Sequence, residues 1–294
     1  MIDIKQPIVT VICLCYNHEK FVIEALESVL GQPHPNIQLI VVDDFSQDNS
    51  VSVIKDFLSN KPSISFIENK ENIGNCKAFN NALKQVKGKY VIDLAADDLL
   101  ETNQLAEQVT CFEEQMPNVG VIFSNAQYID EGGNFIKNHY PINEFGFAVQ
   151  APPQGSIYVN LIKRYFICPP TLMVKTQVLK ELDGYDENLA YEDFDFWIRS
   201  SRKYNYAYLD KVLIKKRVVK GSLSTQYRKK RMLDSTFQVC KKIYNLNENP
   251  KEYKALLERL IYEAKPAFQE FRITLIAKYL ILFLKTFRKS FFRI

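Results

Sequence analysis

The feature that most constrains the fold is an alternation of short apolar runs with stretches of helical periodicity across the first half of the chain. The apolar runs are nearly continuous and rich in β-branched residues. Such strands are buried on both faces, which is typical of a parallel sheet covered by helices on each side. The predicted strands are 8–14, 37–42, 64–67, 90–94 and 119–124, and the predicted helices are 21–30, 51–58, 76–86 and 104–115. The pattern predicts an α/β fold with a mainly parallel central sheet.

Polar clusters follow three of the predicted strands, at residues 16–19, Asp43-Asp44 and Asp97-Asp98. In open α/β sheets, ligands bind in the crevice outside the carboxyl ends of the strands, so these clusters are expected to meet there. No Gly-x-Gly-x-x-Gly follows the first strand, and no Gly-x-x-x-x-Gly-Lys occurs. The sequence therefore gives no support to a dinucleotide-binding or P-loop protein.

The Asp97-Asp98 pair ends a mostly apolar run, which places two like charges beside a buried strand. Desolvating such a pair is costly unless a cation is present. Hard divalent cations such as Mg²⁺ and Mn²⁺ prefer oxygen ligands, which makes the pair a candidate metal site. A solvated loop with two surface acids explains the pair equally well from these residues alone.

A second acidic pair, Glu192-Asp193, begins a predicted helix whose apolar face includes Phe194, Trp197 and Ile198. Carboxylates suit the first turn of a helix because they complement its dipole. From the residues alone, this capping role is favoured over a catalytic one. Trp197 is predicted to belong to the core, because it lies on the face that should pack on the sheet.

Charge is distributed unevenly along the chain. Residues 1–214 carry 18 Lys and Arg against 28 Asp and Glu, a balance of −10, whereas residues 215–294 carry 20 against 6, a balance of +14. A basic tail on an acidic body indicates an anionic partner for the tail.

The six cysteines form no Cys-x-x-Cys pair and are interpreted as reduced core thiols of a cytosolic protein. No signal peptide is expected. The histidines, predicted to lie at the surface or in loops without forming a metal set, are His18, His34 and His139.

Five ordered segments carry a resemblance to a known family: residues 9–17, 41–48, 72–80, 88–98 and 184–199. Together they identify the chain as similar to the family-2 glycosyltransferases, which have the GT-A fold. The resemblance covers roughly residues 7–225. It implies a catalytic domain at 1–225, followed by a helical basic extension at 226–294.

The resemblance implies a role for each matching residue. Tyr16 and Asp44, or Asp43, would hold the nucleotide base of a sugar-nucleotide donor, and Lys77 would approach the base or the phosphates. Asp97 and Asp98 would contact the ribose and a Mn²⁺ or Mg²⁺ ion on the diphosphate. Asp193, with Glu192 beside it, would be the catalytic base of an inverting transfer. The donor-binding set is Tyr16, Asn17, Glu19, Asp43, Asp44, Lys77, Asp97 and Arg217. Family frequency favours a UDP-sugar as the donor.

Two positions depart from the family pattern. Ala95 replaces an acid found in many members, so the sequence leaves open which of Asp97 and Asp98 ligates the metal. Val219 stands where many members have a histidine that joins the metal site, and valine cannot coordinate a metal. Arg217 or Lys220 is a candidate to neutralise the diphosphate instead. Aromatic candidates for the acceptor side are Tyr140, Phe145, Phe147 and Tyr165.

The tail is predicted to be helical, and its last helix spans about residues 271–294. Its uninterrupted apolar run, 279–284, is far shorter than the ~20 residues that span a bilayer. At helical spacing, one side gathers the basic residues Lys278, Lys285, Lys289 and Arg293, and the other gathers Ile276, Tyr279, Leu280, Phe283, Leu284 and Phe287. This pattern is typical of an interfacial membrane helix. A helix packed on the catalytic body or on a second subunit is the alternative. Nucleic acid is disfavoured because the aromatic residues lie away from the charges.

The sequence thus predicts a metal-dependent, inverting glycosyltransferase on the cytoplasmic face of the membrane. It would elongate a surface polysaccharide or another lipid-linked glycan, and it could form a homodimer. One alternative is a nucleotidyltransferase on a similar sheet, for which the Glu192-Asp193 pair has no obvious use. The other is a catalytically degenerate protein that binds sugar nucleotides or serves as a membrane scaffold, as the departures at Ala95 and Val219 would suggest.

Overall fold

The computed structural model describes residues 6–114, 118–219 and 230–291. The strands of this part are β1 (Val9–Cys15), β2 (Ile37–Asp43), β3 (Ser65–Glu68), β4 (Tyr90–Ala95), β5 (Leu99–Leu100), β6 (Val119–Ile129), β7 (Phe135–Asn138), β8 (Met173–Lys175) and β9 (Asn205–Arg217). The helices are α1 (Val22–Leu30), α2 (Ser50–Leu58), α3 (Asn75–Leu83), α4 (Gln104–Glu114), α5 (Tyr158–Lys163), α6 (Thr176–Glu181), α7 (Asp193–Ser201), α8 (Lys230–Leu246), α9 (Pro250–Gln269) and α10 (Ile273–Phe291).

The strands form one sheet in the order β3-β2-β1-β4-β8-β6-β9-β5, with β7 paired to β6. The pairs from β3 to β4 are parallel, as the apolar runs predicted. Beyond β4 the sheet is mixed, because β8 pairs antiparallel with both β4 and β6 whereas β6 and β9 are parallel. The expected α/β fold is confirmed, with the parallel half of the sheet nearest the N-terminus.

The sequence also predicts a strand at 171–174, directly after Cys168-Pro169-Pro170, and the observed strand starts two residues later. Residues Pro169–Thr171 form a 3₁₀ turn, and β8 begins at Met173. Proline has no backbone N–H to donate, so the two prolines suit the turn better than a sheet ladder. In the parallel half of the sheet, the observed ends of β1 to β4 lie within one residue of the predicted ends.

Each face of the sheet is covered by its own apolar core. Helices α1, α2 and α4 supply one core, and α3, α5, α6 and α7 supply the other. Trp197 of α7 is fully buried, which confirms its predicted place in the core. None of the six cysteines, all of which lie in the described ranges, forms a disulfide, and five of them are buried.

The C-terminal helices pack on the α/β body that contains the sheet. Buried residues of α8, α9 and α10 belong to the same apolar cluster as those of α3 and α7. The start of α9 is fixed by Asn249, whose side chain accepts a hydrogen bond from the backbone of Glu252, and Glu252 in turn forms an ion pair with Arg202 at 2.7 Å. The predicted boundary at 225/226 lies outside the described residues.

Helix α10 divides its apolar residues between two surfaces. Leu275, Tyr279 and Leu282 are buried in the shared core, whereas Leu280 and Leu284 are exposed. The predicted apolar face is therefore wider than the part that packs on the body. In the described ranges, no helix is both long and apolar enough to cross a bilayer.

Candidate active site

The carboxyl ends of three parallel strands meet at one edge of the sheet. In the β1–β2 register Cys15 stands opposite Asp43, and in the β1–β4 register Leu14 stands opposite Ala95. The segments that follow these strands are therefore neighbours, as the sequence predicted from the parallel order. They contain Tyr16, Asn17, Glu19, Asp43, Asp44, Asp97 and Asp98.

Side chains of the first loop hold the second loop in place. Asn17 has a left-handed backbone (φ 59°), and its side-chain oxygen accepts a hydrogen bond from Gln47 N at 2.7 Å. Glu19 accepts another from Asn49 N at 2.8 Å. Asn17 and Glu19 thus shape the cleft, while the half-exposed ring of Tyr16 is available to a ligand.

The two carboxylates after β2 have different partners. Asp43 accepts hydrogen bonds from the backbone and hydroxyl of Ser46, at 2.9 and 2.5 Å. Asp44 accepts from the backbone N–H groups of Ile73 and Gly74, at 3.0 and 2.9 Å, and so anchors the start of α3. Lys77, in the first turn of α3, is exposed on the same side of the sheet edge.

Asp97 and Asp98 are almost completely buried. Asp98 Oδ1 accepts a hydrogen bond from Arg217 N at 2.8 Å. Burial, together with the charge of Asp97, raises the pKa of Asp98 to about 7, although Lys216 and Arg217 act in the opposite direction. Loss of solvation and the neighbouring charge of Asp97 both disfavour the ionised form of Asp98, and a bound cation would favour that form.

His18 lies in the cleft, which the sequence did not reveal. Its Nε2 is 3.9 Å from Asp97 Oδ2, and its Nδ1 is buried without a hydrogen-bond partner. The other histidines also differ from a simple surface placement. His34 is buried and donates to the carbonyl of Pro7 at 2.8 Å, and His139 is half-buried and donates to the carbonyl of Phe166 at 2.7 Å.

The guanidinium of Arg217 points away from the open cleft and into the protein. It donates to the carbonyls of Asp97, Asp130 and Glu131, at 3.1, 3.3 and 3.0 Å. It also pairs with Glu24 at 2.5 Å and stacks on the ring of Phe21. These partners occupy its donors, so contact with a diphosphate would require some of the bonds to be exchanged. The other candidate, Lys220, lies outside the described residues.

The second acidic pair begins helix α7, with Glu192 at the N-cap and Asp193 as the first helical residue. Glu192 accepts a hydrogen bond from the side chain of Asn75 at 2.6 Å. Asp193 accepts one from the Tyr165 hydroxyl and another from Phe194 N at 2.7 Å. Desolvation raises the pKa of Asp193 to about 6, which suits a group that exchanges a proton near neutral pH.

A tight turn at Gly184 precedes helix α7 and is held in place by Asn80. Gly184 has a left-handed backbone (φ 68°), and a Cβ there would lie 2.3 Å from the side chain of Asn80. The Asn80 amide also exchanges two hydrogen bonds with the backbone of Tyr185, at 2.8 and 2.9 Å. Asn80 thereby ties α3, which carries Asn75, to the segment that leads to Glu192.

Asp93 is a further acid that sequence reasoning did not single out. Burial and the neighbouring Glu192 raise its pKa well above the usual range, while a hydrogen bond from Tyr185 acts to lower it. A carboxylate in the middle of an apolar strand was the signal that could have identified it.

The aromatic candidates for the acceptor side separate into two groups. Tyr165 packs on Trp197 with ring centroids 4.6 Å apart and contacts Asp193 through its hydroxyl, so it lies at the site. Tyr140 is half-buried and donates to the carbonyl of Phe166 at 2.7 Å. Phe145 and Phe147 are exposed in the loop after β7.

The residues present can supply part of a metal site. Among the residues that the structure describes, no group of three or more His, Cys, Asp and Glu side chains is arranged to hold a metal ion. Two adjacent carboxylates, Asp97 and Asp98, nevertheless suit a cation such as Mg²⁺, which commonly binds one or two carboxylates plus substrate phosphates and water. The donor set therefore fits a cation that is held jointly with a bound diphosphate.

Known proteins share both the sequence pattern and the fold. The glycosyl transferase family 2 model matches residues 10–182. An uncharacterised glycosyltransferase of Methanocaldococcus jannaschii is 30% identical over 220 residues, covering 74% of this chain and 72% of that protein. One of Rickettsia bellii is 30% identical over 213 residues, covering 72% of this chain but 30% of that protein. The chain belongs to glycosyl transferase family 2 and is a glycosyltransferase.

Two solved structures agree with the GT-A fold at lower identity. The S. aureus TarS 1-349 fragment in complex with UDP-GlcNAc superposes with a TM-score of 0.70 at 20% identity, covering 95% of this chain and 79% of that one. Mannosyltransferase PcManGT of Pyrobaculum calidifontis, in complex with GDP-Man and Mn²⁺, gives 0.64 at 17% identity, covering 98% and 77%. The predicted family and fold are both confirmed.

We expect Arg217→Ala to lower the free energy of unfolding by about 3 kcal/mol, because it strands buried carbonyls that the guanidinium now satisfies. Urea unfolding followed by circular dichroism measures this loss. Lys215→Ala is the matched control, since its ion pair with Glu101 is at the surface (3.2 Å) and should contribute at most about 1 kcal/mol. Equal losses in the two variants would contradict a bracing role. Full stability with lost donor turnover in Arg217→Ala would favour the diphosphate role predicted from the sequence.

Proposed function

We propose that this glycosyltransferase moves a hexosyl or N-acetylhexosaminyl group from a nucleotide sugar, in particular a UDP-sugar, to a hydroxyl of a glycan or lipid-linked acceptor. The observation that carries the proposal is the presence of two separately held acidic sites. Asp98 of the Asp97-Asp98 pair accepts a hydrogen bond from Arg217 N at 2.8 Å, and Asp193 begins α7 and accepts one from the Tyr165 hydroxyl. One site suits the donor diphosphate and the other suits the acceptor. The similar structures with UDP-GlcNAc and GDP-Man support a nucleotide sugar as the donor.

On the donor side, the base would lie between the exposed ring of Tyr16 and the carboxylates after β2. Asp44 holds the Ile73-Gly74 backbone, so it positions the wall of this subsite even before a base binds. Asn17 and Glu19 keep the first loop against the second. Lys77, exposed in the first turn of α3, would approach the phosphates, and Asp97 would contact the ribose.

Asp98 and Asp97 are the residues that would hold Mn²⁺ or Mg²⁺. A divalent cation there would neutralise negative charge that develops on the departing diphosphate. The Mn²⁺ in the PcManGT complex supports this assignment. The hydrogen bond from Arg217 N occupies one lone pair of Asp98 Oδ1 and fixes the carboxylate's orientation.

On the acceptor side, Asp193 would take the proton from the attacking hydroxyl. The oxygen of that hydroxyl forms the new bond to the anomeric carbon while the bond to the diphosphate breaks on the opposite side, so the configuration inverts. The proton ends on Asp193, and the electron pair of the broken bond leaves with the diphosphate. Tyr165 donates to Asp193 and so orients the carboxylate for this transfer.

The pKa of Asp193, at about 6, sets the expected pH dependence. A base must be deprotonated to act, so kcat/KM should fall as the pH drops through about 6. Asp193→Asn should lower turnover by about 10²-fold or more, because it removes the general base. Initial rates with a panel of sugar nucleotides, measured between pH 5 and 8, test this prediction.

Asp183→Asn is the matched control for Asp193→Asn, because it changes a nearby acid in a left-handed turn that asparagine tolerates. Turnover that is unaffected by Asp193→Asn would contradict the assignment of the base. If wild-type protein binds a donor but neither hydrolyses nor transfers it, the degenerate binding or scaffold protein becomes the better account. Release of pyrophosphate, with transfer of a nucleotidyl group, would indicate a nucleotidyltransferase.

We further propose that α10 places the enzyme on the cytoplasmic surface of a membrane, where a lipid-linked acceptor for polysaccharide synthesis would be found. Its exposed apolar residues recur on one stripe of the helix: Leu280, Leu284, Phe287 and Phe291. At helical spacing, Arg288 borders that stripe, and Lys278, Lys285 and Lys289 lie on the opposite side of the helix. Apolar burial combined with attraction to anionic headgroups is the mode of binding of an interfacial helix.

Substituting the stripe should release the protein from lipid. Leu280→Ser with Leu284→Ser should weaken co-sedimentation with vesicles of mixed phosphatidylglycerol and phosphatidylcholine at least tenfold, because two exposed leucines lose their burial in lipid. Phe135→Ser with Ile136→Ser is the control, since these residues are equally exposed on β7. Unchanged vesicle binding would contradict the proposal. Dissociation of a dimer by the same leucine substitutions, seen by light scattering, would assign the stripe to a homodimer interface.

A further inference from the structure

Lys216 lies at the end of β9, one residue before Arg217. In the parallel β6–β9 pair it stands opposite Tyr128. Successive residues of a strand point to opposite faces, and Arg217 points toward Glu24 and Phe21. Lys216 therefore faces the other way, on the side of the sheet that carries Tyr128. Its side chain is half-buried.

The charge of Lys216 lies among acids that belong to both halves of the site. Burial by itself would lower its pKa, but Cys168, Asp98, Tyr128 and Asp193 together raise it above the usual value. The Cys168 thiol is neutral near pH 7, because burial raises its pKa to about 11. The carboxylates of Asp98 and Asp193 are thus the partners that keep Lys216 charged.

The ammonium group of Lys216 nevertheless forms no ion pair with a carboxylate of the described residues. In the described part of the chain, no carboxylate oxygen lies within 4.0 Å of the ammonium nitrogen of Lys216. Lys215, the preceding residue, instead pairs with Glu101 at 3.2 Å on the opposite side of the strand. An ammonium that interacts electrostatically with two acids, but forms an ion pair with neither, retains its capacity to bind an anion.

We propose that Lys216 is a diphosphate-binding residue, whose ammonium contacts the donor's phosphate oxygens directly and so provides part of the positive charge that a divalent cation would otherwise supply. This inference rests on the proposed use of a nucleotide diphosphate donor. It follows from the place of Lys216 on β9 next to Arg217, whose backbone N–H donates to Asp98 at 2.8 Å, and from the small metal-ligand set of the described residues. A lysine is a compact cation with three donors, which suits a phosphate group. The lysine stays protonated throughout and exchanges no proton with the substrate.

The same lysine would act during the reaction as well as in binding. Negative charge grows on the diphosphate as its bond to the sugar breaks, and a fixed cation stabilises that state more than the ground state. Lys216 also lowers the pKa of Asp193, so it favours the deprotonated form that a base requires. It thus serves the leaving group and the base from one position.

Calorimetric titration of the full chain with UDP, GDP and inorganic pyrophosphate, first in EDTA and then with Mn²⁺, tests the proposal. Wild-type protein should bind a nucleoside diphosphate in EDTA, and Lys216→Met should weaken that binding about tenfold or more, through loss of a charge-assisted hydrogen bond. Added Mn²⁺ should reduce the difference in nucleotide affinity between the wild type and Lys216→Met. Lys215→Met, the neighbour on the opposite face, should bind like the wild type.

Equal binding by Lys216→Met and wild type in EDTA would overturn the proposal, as would wild-type binding that occurs only with Mn²⁺. Lys216→Arg should restore most of the affinity because it keeps the charge, and Lys216→Gln replaces the methionine variant if that variant fails to fold. No binding of any nucleotide by folded wild-type protein, with or without Mn²⁺, would reject the donor assignment itself. The two failures are therefore distinguishable.

Discussion

The geometry of the site depends on the hydrogen bonds and the ion pair that the buried guanidinium of Arg217 forms. It joins the Asp97-Asp98 turn to the segment after β6 and to α1, while its backbone N–H fixes Asp98. A buried cation is stable only when its hydrogen bonds are satisfied, and here four protein oxygens satisfy them. Arg217 thus fixes the positions of Asp97 and Asp98, two neighbouring acids that would repel one another on a loose loop.

Crowding of negative charge is the second constraint, and it follows from the first. Asp98 is held close to Asp97, and burial raises its pKa to about 7. Asp193 is held by Tyr165 and by the start of α7, with a pKa of about 6. Such a site disfavours further negative charge, so the proposed diphosphate would need a metal ion, a lysine, or both. In our proposal, Lys216, which interacts electrostatically with Asp98 and Asp193, supplies part of that positive charge from the chain itself.

Much of this architecture could be predicted from the sequence. The continuous apolar runs gave the parallel half of the sheet, and parallel order alone brought Asp43-Asp44 and Asp97-Asp98 to one edge. Contacts made by residues distant in sequence could not be predicted. The inward direction of Arg217 depends on α1 and on the turn after β6, and the proximity of His18 to Asp97 depends on how the first loop closes. Periodicity likewise identified α10 as amphipathic, but its apolar arc is partly buried on the body, which only the packing of α8 and α9 decides.

The central claim, that the strand-end cleft binds a nucleotide sugar, is tested most directly by thermal unfolding of the full chain with a panel of nucleoside diphosphates and their sugars. A ligand that binds only the folded state raises the Tm by mass action, by an amount that reports its affinity. The account predicts a clear rise for one base, uridine, and a smaller rise for pyrophosphate alone, which lacks the contacts near Tyr16 and Asp44. No rise for any nucleotide, with the protein folded and Mn²⁺ present, would contradict it.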